Sequence, residues 1–122
     1  LHHLTTTTVT NIHYIFYNCK CTTLNISGWN LSNVLPPDSS WNIESVIANI
    51  FYGMTNCTTA NLTNVVLPST LTNLGFLFVN CSSLQTLVGP LCSNYVTMVT
   101  RVFADSGLST FSDTFFDFPN LF

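Results

Sequence analysis

Charge is what this chain has least of. Only 6% of its 122 residues are Asp, Glu, Lys or Arg, against roughly 25% in an ordinary soluble domain. Lys20 and Arg101 are the sole bases besides His2, His3 and His13, and the acids are Asp38, Glu44, Asp105, Asp113 and Asp117. Two bases cannot neutralise the run of phosphates that nucleic-acid binding requires. The same shortage excludes a basic amphipathic helix lying on a membrane surface.

Long apolar runs are missing too. The longest, Leu74 to Val79, has six residues, whereas a bilayer-spanning helix needs about 20, so no membrane span is expected. Catalytic motifs are equally absent: there is no Gly-x-Ser-x-Gly, no His-Glu-x-x-His and no glycine-rich phosphate loop. No enzyme activity and no cofactor are expected. A metal site is not expected either, because the cysteines do not form paired Cys-x-x-Cys motifs. The chain opens with neither Met nor a basic-and-apolar leader, which reads as a mature chain or a fragment.

What the chain does have is apolar residues, at 47%. That level argues for a packed core rather than disorder, and the length suits one domain. The polar residues are mainly Thr, Ser and Asn. They create five Asn-x-Ser/Thr sequons, at Asn25, Asn30, Asn56, Asn61 and Asn80, which are N-glycosylation candidates in a secreted setting. Thr5, Thr6, Thr7 and Thr8 form a tract read either as O-glycosylated or as a Thr-rich edge strand.

The strongest internal signal is a repeat around Phe16, Phe51, Phe78 and Phe103. The residues seven, four and one before each are Val9, Ile12, Ile15; Glu44, Ile47, Ile50; Leu71, Leu74, Leu77; and Val96, Val99, Val102. Only Glu44 is polar. The anchors lie 35, 27 and 25 residues apart, at or just above the ~20–29 residues of a leucine-rich repeat. The long first interval holds Pro36, Pro37, Asp38, Ser39 and Ser40, read as a loop insertion. The apolar-x-x-apolar spacing before each Phe suits a short helical turn. The Leu84-Gln-Thr-Leu87 pattern after it suits a strand of a parallel sheet.

Val9 to Cys19, Leu24 to Val34, Asn61 to Leu84 and Val96 to Leu108 resemble the BspA-like leucine-rich-repeat surface proteins. The resemblance spans roughly Val9 to Asp117. It implies a right-handed solenoid on the surface of bacteria or protists, with adhesive or matrix roles and no catalytic residues. The chain departs from that pattern in its Pro-rich insertion, in Ile, Leu or Val where the anchor segment usually carries Met, and in Asn and Thr in place of acidic strand residues.

The expected fold is therefore one leucine-rich-repeat solenoid over 1–122. It is mainly β, with short helical or 3-10 turns on its convex side and about four repeats, near 9–45, 46–70, 71–95 and 96–122. Cys19, Cys21, Cys57, Cys81 and Cys92 are an odd set. They are read either as buried thiols packing as small hydrophobes or as partly disulfide-bonded in a secreted protein. In the second case Cys21–Cys57 or Cys57–Cys81 are the candidate pairs.

Phe111, Phe115, Phe116, Phe118 and Phe122 crowd the last dozen residues. With no polar cap in view, Phe115, Phe116, Phe118 and Phe122 are candidates for contact with another copy of the chain. A head-to-tail contact that does not close builds a filament. The leading expectation is a glycosylated, extracellular structural subunit that assembles with copies of itself into a fibre. The alternative is an adhesin fragment that binds host protein or glycan, with Tyr14, Tyr17, Trp29, Trp41 and Tyr95 available to stack on sugars. A third reading inserts Leu1 to Thr10 as a strand into a neighbouring copy.

Overall fold

The computed structural model describes residues 16, 19–36, 38–75, 77, 78, 80–100, 106, 108 and 115–120. Within them the element order is β1 (Thr23–Asn25), α1 (Ile43–Ala48), β2 (Thr59–Asn61), β3 (Asn73–Gly75), β4 (Thr86–Val88), β5 (Leu91–Cys92), β6 (Met98–Thr100) and β7 (Phe116–Asp117). The strands form three small sheets, ordered β1-β2-β4, β3-β6 and β5-β7. All the pairings are parallel.

This corrects the expected fold. The described residues form a mostly-strand structure of short parallel strands in small sheets, not a leucine-rich-repeat solenoid with helical turns on one side. Among the described residues helix is confined to α1, before Phe51. The equivalent segments before Phe78 and Phe103 are extended, as β3 and β6.

The reason lies in what places apolar residues three apart. Leu71, Leu74 and Leu77 are all buried, but not as one stripe of a helix. Leu71 closes a turn through its N–H to the Pro68 carbonyl at 3.1 Å. Leu74 is the inward residue at the centre of β3, and Leu77 lies in the turn beyond. Turns on either side of a three-residue strand reset the period-2 alternation, so the sequence shows a spacing of three. β-branched Val99 and Thr100 favour the extended form in β6.

Strand pairing continues beyond the named strands. In the three-stranded sheet Thr23, Thr59 and Thr86 stand in register, as do Leu24, Ala60 and Leu87, and Asn25, Asn61 and Val88. The ladder then runs through Ile26 N–H to Asn61 O, Gly28 N–H to Thr63 O, Leu62 N–H to Val88 O and Asn64 N–H to Pro90 O. Two equivalent turns interrupt the strand direction, closed by Trp29 N–H to Ile26 O and Val65 N–H to Leu62 O. Their third positions, Gly28 (φ 76°) and Asn64 (φ 59°), supply the positive φ that a type II turn requires. Past the turns, Asn30, Val66 and Cys92 make parallel bridges.

The buried side chains make one continuous apolar cluster, from Phe16 and Leu24 through Ile47, Phe51, Leu74 and Phe78 to Phe115 and Phe118. Fully burying each such side chain contributes about 1.5–3 kcal/mol. Phe51 and Phe78 stack with centroids 5.1 Å apart, and Phe16 lies 5.9 Å from Trp29. Phe103 lies outside the described residues. The Pro-rich insertion is a turn at 38–40 leading into α1, where the Asn42 side chain caps the helix by accepting from Ser45 N–H at 2.8 Å.

Candidate functional site

The outward surface of the three-stranded sheet is built by alternation. Leu24 and Ala60 point into the core and Leu87 packs against it, so the residues on either side of them point away. This leaves a row Thr23–Thr59–Thr86 and a row Asn25–Asn61–Val88 on the outer face. Parallel neighbours sit about 4.8 Å apart. The face therefore carries hydroxyls and amides at a fixed spacing, with no charge on it.

Of the sequons, Asn25 and Asn61 fall on this face, Asn30 makes the parallel bridge beyond it, and Asn56 and Asn80 lie in turns. Asn25, Asn30 and Asn61 each fold their own side-chain carbonyl back onto the backbone two residues on. They accept from Ser27 N–H at 3.0 Å, Ser32 N–H at 2.9 Å and Thr63 N–H at 3.0 Å. In this Asx-turn the side-chain oxygen is engaged by the backbone amide two residues on. Asn25 and Asn56 are exposed, whereas Asn30, Asn61 and Asn80 are half-buried. Asn25 and Asn61 are direct cross-strand neighbours, so a glycan on one crowds the other. The Thr5–Thr8 tract lies outside the described residues.

Cys19, Cys21, Cys57, Cys81 and Cys92 stand as free thiols in the structure, with neither candidate pair, Cys21–Cys57 or Cys57–Cys81, bonded. Their sulfurs are already engaged with the backbone and the core. Cys81 donates to the Phe51 carbonyl at 3.3 Å and Cys57 to the Thr59 carbonyl at 3.3 Å. Burial pushes the Cys81 thiol up to about 12 and raises Cys57 as well. Cys21 is pushed up to about 11, first by burial, then by its hydrogen bond with Cys19 and the nearby Cys19 and Cys57 thiols. These are packing thiols rather than nucleophiles. Cys92 alone is exposed; its thiol is raised by partial burial and then by Asp117, whose carboxylate it approaches at 3.8 Å.

Several other candidates are relocated. Phe115 and Phe118 are 2% and 7% exposed, inside the core. Contact with another copy through them would require opening the fold, which corrects their assignment to self-association. Their burial follows from β7: Phe115 O accepts from Leu91 N–H at 2.7 Å, tying the segment to β5. Phe116 is half-buried between the rings of Phe115 and Phe118, and Phe122 lies outside the described residues. Trp29 is buried, not available to stack on a ligand, and its indole N–H has no partner among the described residues. Trp41 is half-buried, and Tyr14, Tyr17, His2, His3, His13, Asp105 and Asp113 lie outside the described residues.

Missed by sequence reasoning is a shallow cleft of about 420 Å³ between segments 64–67 and 92–95. Val66 and Tyr95, 46% and 54% exposed, stand on it. Its position follows from the parallel Val66–Cys92 bridge, a pairing of residues 26 apart that no local motif announces. Among the described residues no cluster of three or more His, Cys, Asp or Glu is placed to hold a metal ion. None of the described helices is long and apolar enough to cross a membrane.

Comparison with known proteins finds no matching family model, no similar curated protein and no similar solved structure.

Proposed function

We propose that this chain is a non-catalytic, extracellular adhesive module which binds an uncharged partner such as a glycan or a glycoprotein. The observation that carries this reading is the outer sheet face, where Thr23, Thr59 and Thr86 align beside Asn25 and Asn61. A surface that offers hydroxyls and amides, in a chain with 6% charged residues, is matched to a polar, neutral partner. Between neutral partners, association is driven by hydrogen bonds and apolar contact and is nearly indifferent to ionic strength, because there is little charge to screen.

The test is adhesion of the purified full chain to surfaces coated with neutral polysaccharide or with a heavily glycosylated protein, measured across a salt series. Retention that is constant from low to high salt supports the reading. Binding that collapses with salt, or no binding to any coated surface, overturns it. The fibre-subunit reading draws on the same composition and sequons, but two of its four contact residues, Phe115 and Phe118, are committed to the core.

A further inference from the structure

We infer that the cleft between segments 64–67 and 92–95 is a binding site for a neutral saccharide, with Tyr95 as its stacking platform. The inference rests on the adhesive reading and names the ligand class and the place. Val65 and Leu67 are buried beneath the cleft, and Val66 and Tyr95 rise from it as exposed apolar surface. Asn64 and Asn94 stand on its two sides, both exposed. No side-chain hydrogen bond within the described chain occupies either amide, so each has donor and acceptor capacity to offer a ligand. No charged side chain lines the cleft.

This combination selects for a ligand with an apolar ring face and neutral hydroxyls around it. A sugar ring has both: its C–H face packs on an aromatic ring, and its hydroxyls exchange hydrogen bonds with amides. An anion finds no cation here, and a purely apolar ligand would strip water from two amides without replacing it.

The platform is also held in place. Tyr95 N–H donates to Ser93 Oγ at 3.0 Å and Val96 N–H to the same oxygen at 3.3 Å. Ser93 N–H donates to Asp117 O at 3.2 Å. Asn120 Nδ2 donates to Asn94 O at 2.7 Å. Opposite, Asn64 is fixed in the left-handed region at φ 59° and donates its N–H to Pro90 O at 3.2 Å. A backbone pinned at these points loses little freedom when a ligand arrives.

The experiment uses full chain produced in a bacterial host, so that its own glycans do not compete. Maltotriose, cellotriose, mannotriose and triacetylchitotriose are titrated separately while amide resonances are followed by NMR. The expected result is that at least one trisaccharide shifts the resonances of Asn64, Val66, Ser93 and Tyr95, with a millimolar Kd. Tyr95→Ala weakens that Kd about tenfold or more, Tyr95→Phe keeps it within about threefold, and Tyr52→Ala, on an exposed tyrosine elsewhere, leaves it unchanged. The inference is overturned if none of the four shifts these residues at about 10 mM, or if Tyr95→Ala binds as wild type. Tyr95→Ala is also run in the adhesion assay: adhesion that survives it sinks the cleft and spares the adhesive reading, whereas absence of adhesion in the wild type sinks that reading itself.

Discussion

The Phe51–Phe78 pair is the place where the packing argument is most exposed to test. Both rings are essentially inaccessible, at 2% and 1% exposure. They stack with centroids 5.1 Å apart and planes 28° from parallel, and the Cys81 thiol bonds the Phe51 carbonyl beside them. Truncating either ring to Ala removes its transfer free energy and leaves a cavity, a loss of about 3–5 kcal/mol. A domain of this size has about 5–15 kcal/mol in total, so the Ala variants sit near the edge of folding. Leucine is the better probe, since it keeps most of the apolar bulk: Phe51→Leu and Phe78→Leu each cost about 1–2 kcal/mol. If the rings touch as described, each single variant loses the same ring–ring contact. The double variant then costs less than the sum of the singles by about 0.5–1.5 kcal/mol. Urea unfolding followed by the fluorescence of Trp29, a reporter in the same core, gives the four midpoints. Additivity to within about 0.3 kcal/mol would mean that the two phenylalanines occupy unrelated environments, and the description of one shared interior would fall.

Three further outcomes follow from other parts of the chain. At pH 8 a thiol reagent labels exposed Cys92 first, while Cys81, pushed up to about 12 by burial, carries about a thousandfold less thiolate than an ordinary thiol and labels only on unfolding; mass spectrometry of partly labelled chain reads the order. Because the raised thiols Cys81, Cys21 and Cys57 keep their protons in the folded state while the unfolded chain loses them, stability is full below pH 9 and falls as pH climbs from about 9 towards 12; urea midpoints that rise over that window would contradict the assignment. A Cβ at Gly28 meets nothing within 4 Å, so Gly28→Ala costs only the positive-φ strain, about 1–2 kcal/mol, and Gly28→Asn costs less; at Gly89 a Cβ would lie 2.8 Å from the Phe115 ring and 3.0 Å from its carbonyl, so Gly89→Ala costs more than Gly28→Ala by thermal melting.

How much of this was legible in the sequence differs between the core and the surface. The apolar positions before Phe51 and Phe78 announced themselves, because burial demands apolar side chains wherever the chain turns inward. Whether those segments are helical or extended did not. Ile47 lies in α1 and Leu74 in β3, although the same apolar-x-x-apolar spacing precedes both anchors. In one case an Asn42 cap and the first-turn Glu44 favour helix. In the other, tight turns around a three-residue strand produce the same count. Short elements give periodicity too few cycles to separate 3.6 from a broken 2. The terminal phenylalanines misled for a related reason: composition shows that Phe115 and Phe118 cluster, but only the pairing of β5 with β7 reveals that they close the core instead of extending it.

Trp29 sharpens the same lesson about what a side chain's chemistry implies. Its aromatic ring suggested a surface for sugars, yet the type II turn at Gly28 swings it inward against Phe16. Burial there strands the indole N–H, which has no partner among the described residues. An unpaired buried donor costs about 1–3 kcal/mol. Replacing Trp29 by Phe removes that cost along with part of the ring's burial, two effects of opposite sign and similar size. Trp29→Phe is therefore expected to change stability by less than about 1 kcal/mol, while Trp29→Ala, which leaves a cavity beside Phe16, loses about 3–5 kcal/mol. Urea unfolding monitored by far-UV circular dichroism compares the two without relying on the lost fluorophore. A Trp29→Phe loss as large as that of Trp29→Ala would mean that the indole N–H is bonded after all, and that the ring was selected for its polar edge as much as for its area.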